Sequence, residues 1–380
     1  MAEPAQKIPA LDGIRGWAVL IVFFYHYGGG AQSHFLPLHI LGLIDKLGWS
    51  GVSLFFVLSG FLITGILWDA IGQKHWWRNF YIRRALRIFP LYYFSIFLVV
   101  LAAAITGNFR QVLSNIWVWM LYLQNVVPLI KHHEIPLNSP VLIGHFWTLA
   151  VEEQFYLVWP FVLLAARKRE TAKNLCIAGI LLSLVYRLCV VFYSHQPSGF
   201  CSLVFGRAGE FCSGGWLSLA MRGPERAAVL KKSFWGVFGG LSCFLGTIVF
   251  MPHHEFIIPG AWLETAGYLG AGVFFAGIIA SSFQDGLVRS FAEKRCFVET
   301  GKISYGIYVY HILPIKIYKF LGEHLLPHMS RNFHLVATAC FAALGTWMIA
   351  WLSYRYFESP FLRLKNRFSS QPDTARIYAS

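Results

Sequence analysis

Long apolar runs recur along this chain and constrain its fold more than any other feature. A helix needs about 20 largely apolar residues to cross the hydrocarbon core of a bilayer, and runs of that order follow one another from the beginning of the sequence to near its end. Composition agrees, since 56% of the residues are hydrophobic and 13% are charged, against about 25% charged in soluble domains. The sequence therefore predicts an all-α, polytopic integral membrane helix bundle.

The order of the runs predicts a topology of about ten membrane crossings. The predicted crossings are Ile14–Tyr27, Gly51–Leu67, Phe89–Ile105, Gly144–Ala166, Leu175–Ser194, Phe200–Ala220, Phe234–Met251, Gly260–Phe283, Ile303–Leu321 and His334–Ser353. One further apolar segment, Val112–Ile130, would invert every later loop if it crossed fully, so we expect it to be re-entrant or interfacial. Lys and Arg then concentrate on one side, which predicts cytoplasmic N- and C-termini.

Charge and cysteine content also indicate which partners the chain binds and how its domains are organised. The net charge of +14 comes from basic residues scattered between apolar runs, which argues against nucleic acid as a partner and favours membrane lipid. Seven cysteines lie mostly in apolar segments without a CxxC pair, so we expect neither a metal site nor a disulfide framework. We predict a single membrane-embedded domain over residues 1–368 and a disordered tail over 369–380.

Ionisable side chains inside two of the runs point to chemistry within the membrane. Arg15 opens the first run, and His26 should lie about 16 Å further along the helix axis. Glu152 should lie at a similar depth, about 10 Å from the outer end of its own run. Such groups are costly in a bilayer and mark functional sites, and a carboxylate beside an imidazole favours a general base. The alternative is structural, with a neutral histidine and a glutamate bonded to tryptophan or backbone.

Other polar residues are weaker candidates. Arg84 and Arg87 should project from one face of a helical turn at the cytoplasmic mouth of the third crossing, where two fixed cations suit phosphates or a diphosphate. Plain anchoring by the positive-inside rule is the alternative. Arg207 and Glu210 are spaced i,i+3, and we expect them to pair with each other.

The last two crossings add one polar face and one acidic residue. Ser304, Tyr308 and His311 share a helix face and could line a polar cavity. Glu358 is expected just beyond the final crossing, where it would cap the helix or pair with cytoplasmic arginines.

Several sequence motifs together carry a resemblance to a known family. They are Leu-Asp-Gly-Ile-Arg-Gly at 11–16 with the Arg15-to-His26 spacing, Phe-Phe-Val-Leu-Ser-Gly-Phe-Leu-Ile at 55–63, Arg-x-x-Arg-Ile-Phe-Pro at 84–90, Trp-Thr-Leu-Ala-Val-Glu-Glu-Gln-Phe-Tyr at 147–156, Ile-Ser-Tyr-Gly at 303–306 followed by Tyr308 and His311, and Glu-Ser-Pro at 358–360. From Leu11 to about Pro360 the chain resembles the acyltransferase-3 family of bacterial integral-membrane O-acyltransferases, which includes acetylases of O-antigen and exopolysaccharide.

The resemblance implies an activity, a co-substrate and a location. It implies transfer of an acyl group, most often acetyl, from cytoplasmic acyl-CoA to a hydroxyl of a carbohydrate or glycolipid, without a metal, in the bacterial inner membrane. By the same resemblance His26 is the general base or an acyl relay, with Arg15 in the same functional motif. Glu152 is its orienting carboxylate, and Arg84 and Arg87 hold CoA phosphates. From their spacing rather than from the resemblance, the further candidates for cavity-lining or substrate-binding positions are Ser304, Tyr308, His311, Arg207 and Glu210.

A proton-coupled transporter or flippase for an anionic glycolipid is the alternative function. His26, Glu152 and His311 would then form a proton path. The absence of an inverted repeat counts against this reading, because many secondary transporters have one. A non-enzymatic membrane scaffold gives no account of so many buried ionisable groups.

Overall fold

The computed structural model describes most of the chain. The described residues are 8–27, 48–131, 141–194, 197–250, 262–315 and 331–368, together with Ile317, Tyr318, Phe320 and His324. The predicted tail at 369–380 and the end of the ninth predicted crossing lie outside them. The all-α prediction is confirmed for the described residues, among which no strand is assigned.

The helices are numbered here in chain order. They are α1 Pro9–Tyr27, α2 Ser50–Ala70, α3 Trp76–Ile105, α4 Phe109–Asn115, α5 Trp117–Met120, α6 Val127–Lys131, α7 Trp147–Ala166, α8 Arg169–Tyr193, α9 Pro197–Cys201, α10 Val204–Ala220, α11 Arg226–Phe250, α12 Tyr268–Ser281, α13 Leu287–Ala292, α14 Arg295–Lys302, α15 Ser304–Tyr310, α16 Arg331–Leu352 and α17 Ser359–Lys365. A π-helical turn, Leu263–Gly267, precedes α12, and another, Ser353–Glu358, joins α16 to α17.

Six helical stretches within the described ranges are long and apolar enough to cross a membrane. They are Ser50–Ala70, Trp76–Ile105, Gly144–Ala166, Arg169–Tyr193, Leu263–Ser281 and Val336–Lys365. Each overlaps a crossing predicted from the sequence. The chain therefore has the helices of a membrane bundle.

Two helices extend beyond the apolar runs that predicted them. α3 begins at Trp76 rather than Phe89, so Arg84 and Arg87 lie within a continuous helix and not before it. The last helix continues past Ser353 through a π-turn, which places Glu358 inside the bundle. Hydropathy marks only the part of a helix that contacts lipid, whereas arginine and other good helix formers carry the backbone hydrogen bonding further.

The segment Val112–Ile130 does not form one long helix. Short helices α4, α5 and α6 cover it with turns between them. None of these helices approaches the roughly 20 residues that a crossing requires.

Helix α2 is the central helix of the bundle. It packs against α10, α1, α12 and α7, and most of its residues are buried. Glycines bring α2 and α10 together, because a Cβ on Gly60 would overlap the backbone of Phe211 and a Cβ on Gly214 would overlap the carbonyl of Val57. Small residues at such crossings let membrane helices approach closely, and this close packing fixes the helices that carry the site.

Candidate active site

A polar cavity lies where α1, α2, α3, α7 and α15 meet. Its empty space, counted out to its open mouth, is about 780 Å³. The polar and charged residues that line it are Arg15, Ser59, Arg84, Arg87, Thr148, Glu152, Tyr156, Ser304, Tyr305 and Tyr308. The fold thus brings Arg15, the Arg-x-x-Arg pair, Glu152, Ser304 and Tyr308 to one cavity.

The cavity carries an excess of positive charge. Arg15 forms an ion pair with Asp12 at 2.7 Å. The guanidinium of Arg84 lies 5.2 Å from the ring centre of Tyr156. Neither Arg84 nor Arg87 has an ion pair with a carboxylate in the part of the chain that the structure describes. Two guanidinium groups without a salt-bridge partner in one cavity favour an anionic ligand.

Glu152 belongs to the wall of this cavity. The hydroxyl of Ser59 donates a hydrogen bond of 2.9 Å to its carboxylate, and the hydroxyl of Tyr156 donates to Ser59 at 3.1 Å. Glu152 also interacts electrostatically with Arg84 and Arg87. Glu152 therefore lies on the side of the cavity that carries Arg84 and Arg87.

His26 lies in a cluster of imidazoles and not beside Glu152. The ring centre of His26 is 4.9 Å from that of His311, and His311 is 5.0 Å from His145. The hydrogen bond that the structure gives His26 is to the carbonyl of Val22. The contact expected between His26 and Glu152 is thus replaced by His311, because the two helices turn these side chains toward different neighbours. Sequence reasoning missed His145, although an ionisable residue at the start of an apolar run is a signal of the same kind.

Hydrogen bonds to carbonyl groups fix the protonated nitrogen of each neutral ring, because a carbonyl can only accept. Nδ1–H of His26 donates to Val22 at 2.9 Å, Nδ1–H of His311 to Tyr308 at 2.7 Å, and Nε2–H of His145 to Tyr308 at 3.1 Å. Nε2 of His26 is then left as a proton acceptor. Nε2 of His311 and Nδ1 of His145 are buried without a partner. Within the described ranges, no group of three or more His, Cys, Asp and Glu side chains is placed to hold a metal ion.

Tyr308 joins the cavity to the histidine cluster. Its side chain lines the cavity, and its hydroxyl donates to the carbonyl of His145 at 3.0 Å and hydrogen bonds to Thr148. Its own carbonyl accepts from both His145 and His311. A ligand that contacts Tyr308 in the cavity would therefore be separated from His145 and His311 by this one residue.

A second buried charge cluster surrounds Tyr268. Arg207 and Glu210 come within 3.4 Å, as the i,i+3 spacing predicts, but Arg187 also approaches Glu210 at 3.6 Å and Glu264 at 3.2 Å. The ring of Tyr268 lies 3.9 Å from the guanidinium of Arg207 and 4.0 Å from that of Arg187. Neither Arg207 nor Glu210 lines the cavity. Arg187 and Glu264 were missed, although a lone charge in an apolar run is itself a signal.

Glu358 differs from its predicted place just beyond the last helix. It is buried within the π-turn after α16, and the hydroxyl of Ser353 donates to it at 3.0 Å. The helix does not stop where its apolar run stops, so Glu358 does not cap its end, whereas its electrostatic interaction with Arg87 agrees with the expected pairing with an arginine.

The fold and the site together define a class of protein. It is a membrane helix bundle in which Tyr308 lies between a basic polar cavity and a cluster of histidines. The sequence profile of the acyltransferase-3 family, described as an acyltransferase domain, matches residues 8–355. The chain therefore belongs to this family.

Two curated bacterial relatives carry names that describe O-acetyltransferases. The peptidoglycan O-acetyltransferase OatA of Listeria monocytogenes is 30% identical over 377 residues, which cover 93% of this chain and 56% of the relative. The O-acetyltransferase OatA of Staphylococcus aureus is 26% identical over 383 residues, which cover 93% of this chain and 57% of that protein. The chain thus spans a little over half the length of these relatives. No solved structure gives a significant match.

Proposed function

We propose that this protein is a membrane-bound O-acyltransferase that moves an acetyl group from acetyl-CoA to a hydroxyl of a carbohydrate, with peptidoglycan-type glycan as the first acceptor to test. The observation that carries the proposal is the basic cavity that shares Tyr308 with a cluster of three histidines. The names of the relatives support an O-acetyltransferase and a glycan acceptor.

The cationic end of the cavity suits the donor. Arg84 and Arg87 present guanidinium forks without a salt-bridge partner among the described residues, and planar forks bind phosphate oxygens in pairs. Arg15 adds a third cation, which is partly neutralised by Asp12. We assign the diphosphate of CoA to Arg84 and Arg87, with the thioester directed toward Tyr308.

His26 is the proposed general base. Its Nε2 accepts the proton of the acceptor hydroxyl while the hydroxyl oxygen attacks the thioester carbonyl. The imidazolium then returns that proton to the sulfur as the carbon–sulfur bond breaks, so the products are the O-acyl ester and free CoA thiol. His26 can instead carry the acyl group between donor and acceptor, in which case an acylated histidine accumulates when acceptor is withheld.

Glu152 has a different role in this proposal from the one the sequence implied. We assign it as the counter-charge of Arg84 and Arg87, which is supported by its hydrogen bond from Ser59 and its electrostatic interaction with the two arginines. It holds the guanidinium groups in the cavity, whereas His311 packs against the general base.

The proposal includes a topology and a location. We propose that residues 1–368 form one membrane domain of about ten crossings in the bacterial inner membrane, with both termini in the cytoplasm. The broken segment of α4, α5 and α6 is then peripheral or re-entrant. This orientation presents the arginine mouth to cytoplasmic acetyl-CoA.

The test is equilibrium binding of acetyl-CoA to purified protein, together with release of free thiol when a glycan acceptor is supplied. Loss of charge-assisted hydrogen bonds worth about 1.5–3 kcal/mol predicts at least a roughly tenfold weaker acetyl-CoA affinity for Arg84→Ala and Arg87→Ala. Arg78→Ala is the matched control, because Arg78 is exposed on the same helix. Wild-type protein that neither binds acetyl-CoA nor releases thiol with any acceptor would refute the proposed function.

A further inference from the structure

A second cavity adjoins the first and shares two residues with it. Its empty space is about 490 Å³ and it lies between the ends of α2, α3 and α17. Arg84 and Arg87 line both cavities, so these two arginines form the wall between them. We call the second cavity the basic vestibule.

The wall of the basic vestibule carries only positive charge, since Glu152, the counter-charge of Arg84 and Arg87, lines the first cavity and not the vestibule. Arg83 and Lys365 join Arg84 and Arg87 in its wall, and no Asp or Glu is among its lining residues in the described part of the chain. The ammonium of Lys365 is within electrostatic range of all three arginines. None of the four has an ion pair with a carboxylate within the described ranges.

Such a group of like charges is costly for an empty fold. Partly buried cations repel one another more strongly than cations in water, and removing them from water costs further free energy. A bound polyanion would relieve both terms. Four cations around one space suit a ligand that carries several phosphate charges.

Aromatic rings form another part of the wall. Trp76, Phe80 and Phe368 line the vestibule together with Asn79. Flat aromatic faces stack on nucleobases, and an amide side chain can both donate to and accept from a base edge. Cations beside aromatic faces therefore favour a phosphorylated nucleoside over a lipid headgroup, which offers no ring to stack.

We propose that the basic vestibule binds the phosphorylated adenosine end of the acyl-CoA donor, with Lys365 and Arg83 on its 3′-phosphate and Trp76, Phe80 or Phe368 against its adenine. This inference rests on the proposed function and extends it. Arg84 and Arg87 hold the diphosphate at the shared wall, and the pantetheine arm passes into the first cavity. The vestibule then selects CoA thioesters over shorter thioesters.

The experiment compares three probes on purified protein in nanodiscs: acetyl-CoA, adenosine 3′,5′-bisphosphate and acetyl-pantetheine, which lacks the nucleotide. Binding of the first two is measured by calorimetry, and use of the third by thiol release. For Lys365→Gln and for Arg83→Gln, we expect at least a roughly tenfold loss of affinity for both nucleotide probes, the size expected for one charge-assisted phosphate contact, while the KM for acetyl-pantetheine is unchanged. Arg363→Gln is the control, because Arg363 is exposed on the same helix and does not line the vestibule.

Each outcome separates the two proposals. Wild-type protein that binds acetyl-CoA but not adenosine 3′,5′-bisphosphate, or variants that bind both nucleotides as tightly as wild type, would overturn the vestibule and leave the donor proposal standing. An equal loss for acetyl-pantetheine would also overturn it, since the substitution would then act on the whole site. Displacement of adenosine 3′,5′-bisphosphate by phosphatidylglycerol, in nanodiscs of increasing phosphatidylglycerol content, would assign the charge to lipid headgroups. Wild-type protein that uses neither thioester would refute the proposed function itself.

Discussion

Nδ1–H of His26 donates to the carbonyl of Val22 at 2.9 Å, and this bond leaves Nε2 to accept a proton. General-base catalysis contributes about 10²–10⁴-fold to a rate, so we expect His26→Gln to lower acyl transfer at least roughly 100-fold. Affinity for acetyl-CoA should change little, because His26 does not line the first cavity, which is the proposed donor site. Thiol release and calorimetric binding measure the two effects separately.

The control for this substitution is a histidine outside the cluster. His324 is exposed and hydrogen bonds to the carbonyl of Phe320, so His324→Gln should keep wild-type turnover. Near-normal turnover of His26→Gln would contradict the assignment of the general base.

At the scale of single residues, position along a helix axis is predictable from sequence and the direction of the side chain is not. Counting 1.5 Å per residue places Arg15, Glu152 and His26 along their helix axes. Which neighbour each side chain meets depends on how the helices rotate and cross. The structure accordingly places Arg15 and Glu152 at the cavity, while His26 meets His311.

At the scale of elements, the contact between α2 and α10 depends on glycine. A Cβ at Gly214 would overlap the carbonyl of Val57, so Gly214→Ala must push the two helices apart. Overpacking of this kind costs about 1–3 kcal/mol. We expect a lower melting temperature and weaker acetyl-CoA binding, because α2 lines the first cavity, the proposed donor site.

Gly239 provides the matched control in another helix. A Cβ there meets nothing within 4 Å, and alanine is the better helix former by about 1 kcal/mol. Gly239→Ala should therefore leave stability unchanged or raise it. Equal destabilisation by both substitutions would show that close helix packing is not the cause.

An ion-pair cluster links the start of α8 to the turn before α11. Arg169 donates to Glu225 at 2.8 Å and Lys173 also bonds to it. Hydrogen bonding to Arg169, and then to Lys173, lowers the pKa of the Glu225 carboxyl from about 4.5 to about 2. The folded state thus binds this proton less readily than the unfolded state, so the contribution to stability is present above pH 4.5 and is lost as pH falls toward 2.

The Glu225 cluster predicts a difference between two acid-unfolding curves. Between about pH 6 and about pH 3 the apparent melting temperature of wild type should fall more than that of Glu225→Gln, which has no proton to bind at this position. The effect is modest because the carboxylate is a quarter exposed and solvent screens such pairs. Parallel curves for the two proteins would show that protonation of Glu225 does not contribute to acid unfolding.

The ends of the helices are less predictable from the sequence than their existence. The apolar runs identify the six long apolar helices, because hydropathy and length are local properties. They do not reveal that α3 starts at Trp76 or that Glu358 lies inside a helix. Those features follow from backbone hydrogen bonding and from neighbours far away in the chain.

At the scale of the whole molecule, the proposed orientation predicts two labelling patterns. In a protein whose native cysteines are replaced, Lys168→Cys should react with an impermeant maleimide only from the cytoplasmic side, and Arg110→Cys only from the outside. Both positions are exposed in the structure. Labelling of both from the same side would show that the segment between them crosses the membrane differently.

In the proposed function, the cavity and the histidine cluster together form one acyltransferase site. The most direct test is transfer of radiolabelled acetyl from acetyl-CoA to a peptidoglycan fragment by purified protein in proteoliposomes. We expect labelled acceptor and free CoA in equal amounts with wild type, and loss of both with His26→Gln and with Arg84→Ala. Acetyl-CoA binding without labelled acceptor or thiol release, together with proton-coupled movement of a glycolipid, would refute the proposed acyl transfer and assign the site to transport.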